Sequence, residues 1–412
     1  MRQRNLVESA GLAISLYSPF FFQVVVRPEL YRQAGNNPGK VHNEALEMAQ
    51  LYREVFAANP IASDFPELKT NVGGIEMVPF GTAAGIDKNA EALEPFSNAF
   101  GFLTIGTVLP LLREGNEEPN IAVANGDVYN AQSFPSRGSY QVMKNLKRYR
   151  KSDAPQKPVV ASICALPYLR RESGLNSFAP NRNRVITSRT TAALEYREFK
   201  DIENNLEKSL ENAYDDTCML VRVLSPLVDI FEWNIFSPNT ATLPLMRKPD
   251  VVAEYAKVVA GSGKQSLMKV GPYTDQEYDP NMTLYEAWMK HAHGFTGVNT
   301  LRIADPPIPN WKHGAAGKSG TPLQPYRDRF ITDARKAFPS AIIFAAGGID
   351  SGSEAYMCFE LGADAVTGYT PYTKKGIGLL RKEMKYVSRQ LHKDGYSGLQ
   401  DFVRAARETN SF

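Results

Sequence analysis

The chain has 412 residues, 43% hydrophobic and 22% charged, ordinary globular values that exclude wholesale disorder, a collagen-like repeat and a disulfide scaffold. Its 47 Lys+Arg against 44 Asp+Glu leave a net charge of +3, too balanced to point to nucleic acid. Cys164, Cys218 and Cys358 lie far apart with no C-x-x-C pair, and the five histidines are scattered, so no metal site or all-cysteine iron–sulfur cluster is expected.

Arg2 and Arg4 open the chain, and an apolar stretch follows from Leu12 to Val26. A membrane span needs about 20 residues, and this stretch is shorter and interrupted by Pro19 and Gln23. No small-residue cleavage site follows Val26, so it does not read as a signal peptide. Two readings stay open: a helix packed on a core, or a monotopic element with Phe20, Phe21 and Phe22 in a lipid interface. Val41, Ala45, Met48, Tyr52 and Val55 then make one apolar helical stripe, preceded by Pro38-Gly39 and ended by Asn59-Pro60. These two helices form a small unit, residues 1–65, ahead of the main body, residues 66–412.

From about residue 75, β-rich runs alternate with helical stretches. Strands are expected at Met77–Ala83, Phe102–Val108, Val159–Cys164, Ile230–Phe236, Ser266–Val270, Phe295–Asn299, Ile342–Ala346 and Ala365–Gly368. Eight such units predict an α/β fold, a (β/α)8 TIM barrel, over the alternative of an open doubly wound sheet. Chemistry in such a barrel sits at the C-terminal strand ends. Those ends carry glycines, asparagines, hydroxyls and two lysines, Lys88 and Lys269. Apart from Asp87 they carry no carboxylate, and they carry no histidine, which argues against a glycosidase and against a histidine-based metal hydrolase. The last two ends, Gly347-Gly348 and Gly368-Tyr-Thr370, suit a phosphate, because glycine lets backbone N–H groups approach an anion. Lys269, buried without a carboxylate partner, would be expensive unless it faced an anionic cofactor.

Six blocks in chain order resemble the dihydroorotate dehydrogenases. They are Ala83-Ala-Gly-Ile-Asp-Lys-Asn-Ala-Glu91, Gly101-Phe-Leu-Thr-Ile-Gly-Thr-Val108, Asn234-Ile-Phe-Ser-Pro-Asn-Thr240, Val298-Asn-Thr300, Gly317-Lys-Ser-Gly-Thr-Pro-Leu323 and Ala346-Gly-Gly-Ile-Asp-Ser351. The resemblance implies an FMN-containing barrel that oxidises dihydroorotate to orotate in pyrimidine synthesis. Ser18-Pro-Phe and the helix at Lys40-Val-His-Asn-Glu-Ala45 are similar to the extension of the membrane-associated, quinone-using class, where two helices admit the quinone. That class implies a peripheral membrane protein, on the cytoplasmic face of the inner membrane in a bacterium, with no nucleic acid partner.

The resemblance also implies roles. Ser237 stands where the quinone class has its catalytic base, Thr300 is the hydroxyl beside it, and Phe134 is the aromatic residue on the loop closing the pocket. Lys88, Asn130, Asn234, Asn239 and Asn299 match the polar shell around the substrate, with Lys88, Asn234 and Asn299 also facing the flavin. Ala83, Ala84, Gly85, Thr107 and Ser162 match further flavin contacts, and Lys269 matches the lysine at the ring's N1–O2 edge. Ser319, Gly320, Gly347, Gly348, Tyr369 and Thr370 match the flavin phosphate and ribityl contacts. Asparagine amides suit a substrate ring of alternating C=O and N–H, since each offers a donor and an acceptor.

Three departures fall on the substrate side. The family's Asn-Arg-x-Gly-Phe-Asn loop is Asn130-Ala-Gln-Ser-Phe-Pro-Ser136 here. The usual Gly-Leu-Arg is Thr242-Leu-Pro244, and Ser162 replaces an asparagine. Residues 167–196 read as an insertion with Arg170, Arg171, Arg182, Arg184 and Arg189, either a solvated loop or a lid carrying a cation for the substrate carboxylate. A family member oxidising another cyclic amide, and a non-catalytic flavin-binding membrane scaffold, remain as alternatives.

Overall fold

The fold was obtained as a computed structural model, which describes residues 6–169 and 199–410. The five arginines of the 167–196 insertion lie outside the described residues. Eight parallel strands form the barrel: β1 Phe80–Thr82, β2 Leu103–Val108, β3 Val159–Ile163, β4 Ile230–Asn234, β5 Gln265–Lys269, β6 Gly294–Gly297, β7 Ile342–Ala346 and β8 Ala365–Gly368. Their order in the sheet is β1-β8-β7-β6-β5-β4-β3-β2, and a parallel bridge between Gly81 and Phe102 joins the first strand to the last. Helices such as Gly138–Arg150 after β2, Pro249–Ala260 after β4 and Gln324–Ala337 after β6 cover the outside. The expected (β/α)8 barrel is the observed one.

Alternation along the strands sorts the side chains. On β4, Phe231 and Trp233 face the helices, and Trp233 stacks between Tyr255 and Trp288 with ring centroids 4.7 and 5.5 Å away. Full burial of a large apolar side chain contributes about 1.5–3 kcal/mol. Ile230 faces inward, into an apolar layer with Phe102, Val160, Leu267, Ile342 and Phe344. A hairpin of Thr70–Val72 and Ile75–Met77 packs Val72 and Met77 onto that layer and plugs the barrel floor. The run expected as one strand at Met77–Ala83 is therefore two elements. Pro79, which has no N–H to donate, separates Met77 of the hairpin from β1.

The N-terminal region is a broken series of helices rather than two. Leu6–Ser15 is followed by Pro19–Phe21, a π-helical turn Phe22–Val26 and Arg27–Gln33, then by Pro38–Leu51 and Arg53–Ala58. The breaks have local causes. The Ser18 hydroxyl accepts from the Phe21 N–H with Pro19 at the first helical position, and the Asn37 side chain accepts from Gly39 and Lys40 ahead of Pro38. Met48, Tyr52 and Phe56 are buried in the same core as Phe96 and Phe100, so these helices share one continuous interior with the barrel. Among the described residues, no helix is long and apolar enough to cross a membrane.

Candidate active site

Above the C-terminal strand ends lies a small antiparallel sheet in the order Leu301–Ile303, Ala316–Ser319, Asp127–Asn130, Ile121–Ala124. Between it and the barrel is one cavity. The structure brings to its walls Ser237, Thr300, Phe134, Lys88, Asn130, Asn234, Asn239 and Asn299. It adds Ala83, Ala84, Gly85, Thr107, Lys269, Ser319, Gly320, Gly347, Gly348, Tyr369 and Thr370. Ser162 is the exception. It is fully buried behind Thr107, with the two hydroxyl oxygens 3.1 Å apart, so it orients Thr107 rather than facing the cavity.

A relay of amides organises one wall. Asn234 sits at the end of β4, and its Nδ2 donates to Thr107 Oγ1 at 2.8 Å. Asn299 Nδ2 donates to Asn234 Oδ1 at 3.4 Å, and Asn299 Oδ1 accepts from the Thr300 N–H at 2.8 Å. Asn239 Nδ2 donates to Asn130 Oδ1 at 2.8 Å, and Asn130 Nδ2 to the Gly317 carbonyl at 3.2 Å. Each asparagine is thus held in one orientation, which presets the donors and acceptors left for a ligand. Ser237 is buried between Asn234 and Asn239, and its Oγ accepts from the Asn239 N–H at 3.4 Å.

The opposite wall suits an anion. Among the described residues no carboxylate lines the cavity, whereas Lys88 and Lys269 do. Burial pushes the Lys88 ammonium down to about 8. Neighbouring Asp87 turns away and accepts from the Glu91 and Ala92 N–H groups at 2.7 Å each, while burial pushes it up to about 6. Lys269 is not alone, contrary to the sequence expectation: Glu232, two residues before Asn234 on β4, lies 3.4 Å from its Nζ, and both are buried. Adjacent strands meet there, so a residue of the strand interior supplies the missing carboxylate. Gly347 and Gly348 adopt φ of +109° and +71°, values that favour glycine. Thr370 Oγ1 donates to Ser319 Oγ at 3.0 Å beside them. The donor set fits a phosphate-bearing ligand.

Two side chains that shape the site, Arg113 and Asn116, escaped the sequence reading. The Asn130–Ser136 loop lacks the family's arginine, yet Arg113 reaches it from outside, donating to the Ser133 carbonyl and hydroxyl at 2.8 Å each. That clamp holds Ser133 and Phe134 at φ of +53° and +55° over the cavity. Asn116 adds a bond to the Ala131 carbonyl at 2.6 Å. A second cavity lies among the N-terminal helices, lined mainly by apolar residues such as Leu12, Phe22, Leu30, Ala45 and Phe100. It shares Ile121, Val128 and Tyr369 with the first, and His42 stacks on Tyr369 at 6.0 Å in its wall. No local pattern marks Arg113 or Asn116, whereas His42 lies in the Lys40–Ala45 block.

Comparison with known proteins agrees with this architecture. A model of the dihydroorotate dehydrogenase family matches residues 67–391. Similar proteins include a dihydroorotate dehydrogenase (quinone) of Thermus thermophilus, 25% identical over 381 residues, covering 90% of this chain and 98% of that protein. The dihydroorotate dehydrogenase (quinone) of Deinococcus radiodurans is 28% identical over 342 residues, covering 79% and 80%. In fold, the chain is similar to the DHODH of Eimeria tenella crystallised with ferulenol, with a TM-score of 0.70, 21% identity and coverage of 90% and 95%. With the family match extending over most of the barrel, the chain belongs to the dihydroorotate dehydrogenase family.

Proposed function

We propose that the chain oxidises dihydroorotate to orotate on FMN and delivers the electrons to a membrane quinone, a step of de novo pyrimidine synthesis. The observation that carries this reading is the pair of cavities with one common wall. The first is polar, with a buried hydroxyl between fixed amides; the second is apolar and lies among the N-terminal helices. FMN, when bound, would supply the acceptor for the hydride from C6 of the substrate and the two-electron carrier to the quinone. Gly347, Gly348, Ser319 and Thr370 would hold its phosphate end, and Lys269, steadied by Glu232, would supply positive charge to its ring. Ser237 Oγ takes the C5 proton of the substrate and passes its own to Thr300 or to water. Asn130, Asn234, Asn239 and Asn299 orient the substrate ring, Lys88 faces its negative charge, and Phe134 with its clamped loop excludes water.

Residues 1–65 provide the quinone entrance and the membrane contact. Leu6, Val7, Phe20, Val24 and Val25 are exposed on these helices, an apolar face suited to peripheral binding. A non-catalytic scaffold has no use for a buried serine held between oriented amides. The test is anaerobic stopped flow. Dihydroorotate reduces the bound flavin in one phase, and a long-tailed quinone reoxidises it in a second. A flavin that dihydroorotate leaves oxidised refutes the substrate; a flavin that only small water-soluble dyes reoxidise refutes the acceptor.

A further inference from the structure

The turn at Gly347-Gly348 is held from behind by two side chains of one helix that stay out of the cavity. Gln324 Nε2 donates to the Gly348 carbonyl at 2.9 Å, and Arg327 Nη1 donates to the Gly347 carbonyl at 3.1 Å. Arg327 has 0% exposure, an unusual location for a guanidinium; its Nη2 donates to Glu354 at 2.7 Å and its Nε to Asp328 at 2.8 Å. Gln324 lies flush against the turn: a Cβ on Gly348 would fall 2.7 Å from its Cγ.

The planarity of the peptide makes these bonds directional. Both the Gly347–Gly348 and the Gly348–Ile349 peptides are trans, and in a trans peptide the C=O and the following N–H point opposite ways. Tying both carbonyls back to the helix therefore turns the N–H groups of Gly348 and Ile349 toward the cavity. Among the described residues, neither N–H has a hydrogen-bond partner within the chain. Two unpaired N–H groups at a pair of glycines make an anion nest. Left free, a Gly-Gly turn samples many conformations, and the nest would have to be ordered each time an anion arrived.

We propose that Gln324 and Arg327 are positioning residues that preset this nest for the phosphate of the cofactor. The proposal rests on the FMN reading above. Arg327 does not act as a bare charge, because Glu354 and Asp328 outweigh it. What it contributes is the geometry of its fork.

The test loads the full-length chain, and its variants, with FMN or with riboflavin, which lacks the phosphate. The rate of flavin release is followed by recovery of flavin fluorescence on dilution. Gln324→Met removes one donor at similar volume and at a half-buried position, so the fold is retained. It should speed FMN release by about tenfold, the scale of one lost hydrogen bond, and leave riboflavin release within twofold. Arg327→Lys keeps the charge and loses the fork, and should speed FMN release further, again sparing riboflavin. Equal acceleration for both flavins would mean that these side chains only support the fold, and would overturn the proposal. So would unchanged FMN release in Gln324→Met. If the parent chain released FMN and riboflavin at the same rate, the phosphate reading of the turn would itself fall, and the proposal with it; that result is seen before any variant is made.

Discussion

Ser237 is a weak base by residue type, and its surroundings decide what it can do. It is buried, its oxygen accepts one backbone N–H, and Asn234 and Asn239 flank it with their own amides already committed. Ser237→Ala should slow flavin reduction by dihydroorotate by about 10²–10⁴-fold while FMN remains bound, measured in a single anaerobic turnover. His42 is set by its environment in the opposite sense. Burial first, and then the charge of Lys88, push its imidazole down to about 3 from an ordinary 6.5. A base depressed in the folded state favours folding while neutral. That contribution is fully present above pH 6.5 and is lost as pH falls toward 3. The stability difference between the protein and His42→Phe, which cannot take up a proton, should be constant above pH 6.5. Below it the parent should lose stability relative to the variant. Denaturant melts at a series of pH values check this, and the His42 ring resonances should not titrate between about pH 5 and 8.

At the scale of elements, the cavity roof is a loop whose shape is imposed from another segment. Two non-glycine residues in succession, Ser133 and Phe134, have positive φ, a conformation that costs free energy unless neighbours hold it. Arg113 provides two bonds to Ser133, and the backbones of Arg113 and Ser136 exchange two more at 2.8 Å each. Arg113→Met should cost about 1.5–3 kcal/mol of stability, the range for hydrogen bonds to a charged group. It should also raise KM for dihydroorotate and open the 131–136 loop to limited proteolysis. Retained protease resistance would mean that the loop holds its shape without the clamp. The start of β2 is constrained more tightly still. A Cβ on Gly101, two residues before β2, would lie 1.8 Å from the carbonyl oxygen of Val78, the residue after the hairpin, so the chain segments leading into β1 and β2 meet there only with glycine.

Across the whole molecule, the two cavities divide the proposed reaction into halves that different substitutions separate. Ala45 lines only the apolar cavity. Ala45→Trp should slow reoxidation by a long-tailed quinone at least tenfold, leaving reduction by dihydroorotate and reoxidation by a small dye unchanged; stopped flow reads all three. Phe20 is 70% exposed on the outer face of the N-terminal helices and lines neither cavity. Phe20→Glu should weaken sedimentation with liposomes while both half-reactions with soluble partners persist. Such substitutions are cleaner than removal of residues 1–65, because Met48, Tyr52 and Phe56 belong to the core that also buries Phe96 and Phe100.

Some of this was legible in the residues alone. Strand and helix periodicities are local, so the eight-fold alternation determined the barrel, and the barrel determined that glycines, asparagines and Lys269 at strand ends share one mouth. The relations that needed the tertiary structure join residues far apart in the chain. Glu232 pairs with Lys269 across neighbouring strands, and Arg113 clamps Ser133 over a gap of twenty residues. Ser162 faces Thr107 instead of the cavity. The split of Met77–Ala83 into plug and strand also depended on where Val72 and Met77 find apolar partners. A sequence displays which groups a chain owns and the period at which they recur. Which of two buried groups becomes the partner of a third depends on side-chain reach across the packed interior, and only the closed barrel decides that.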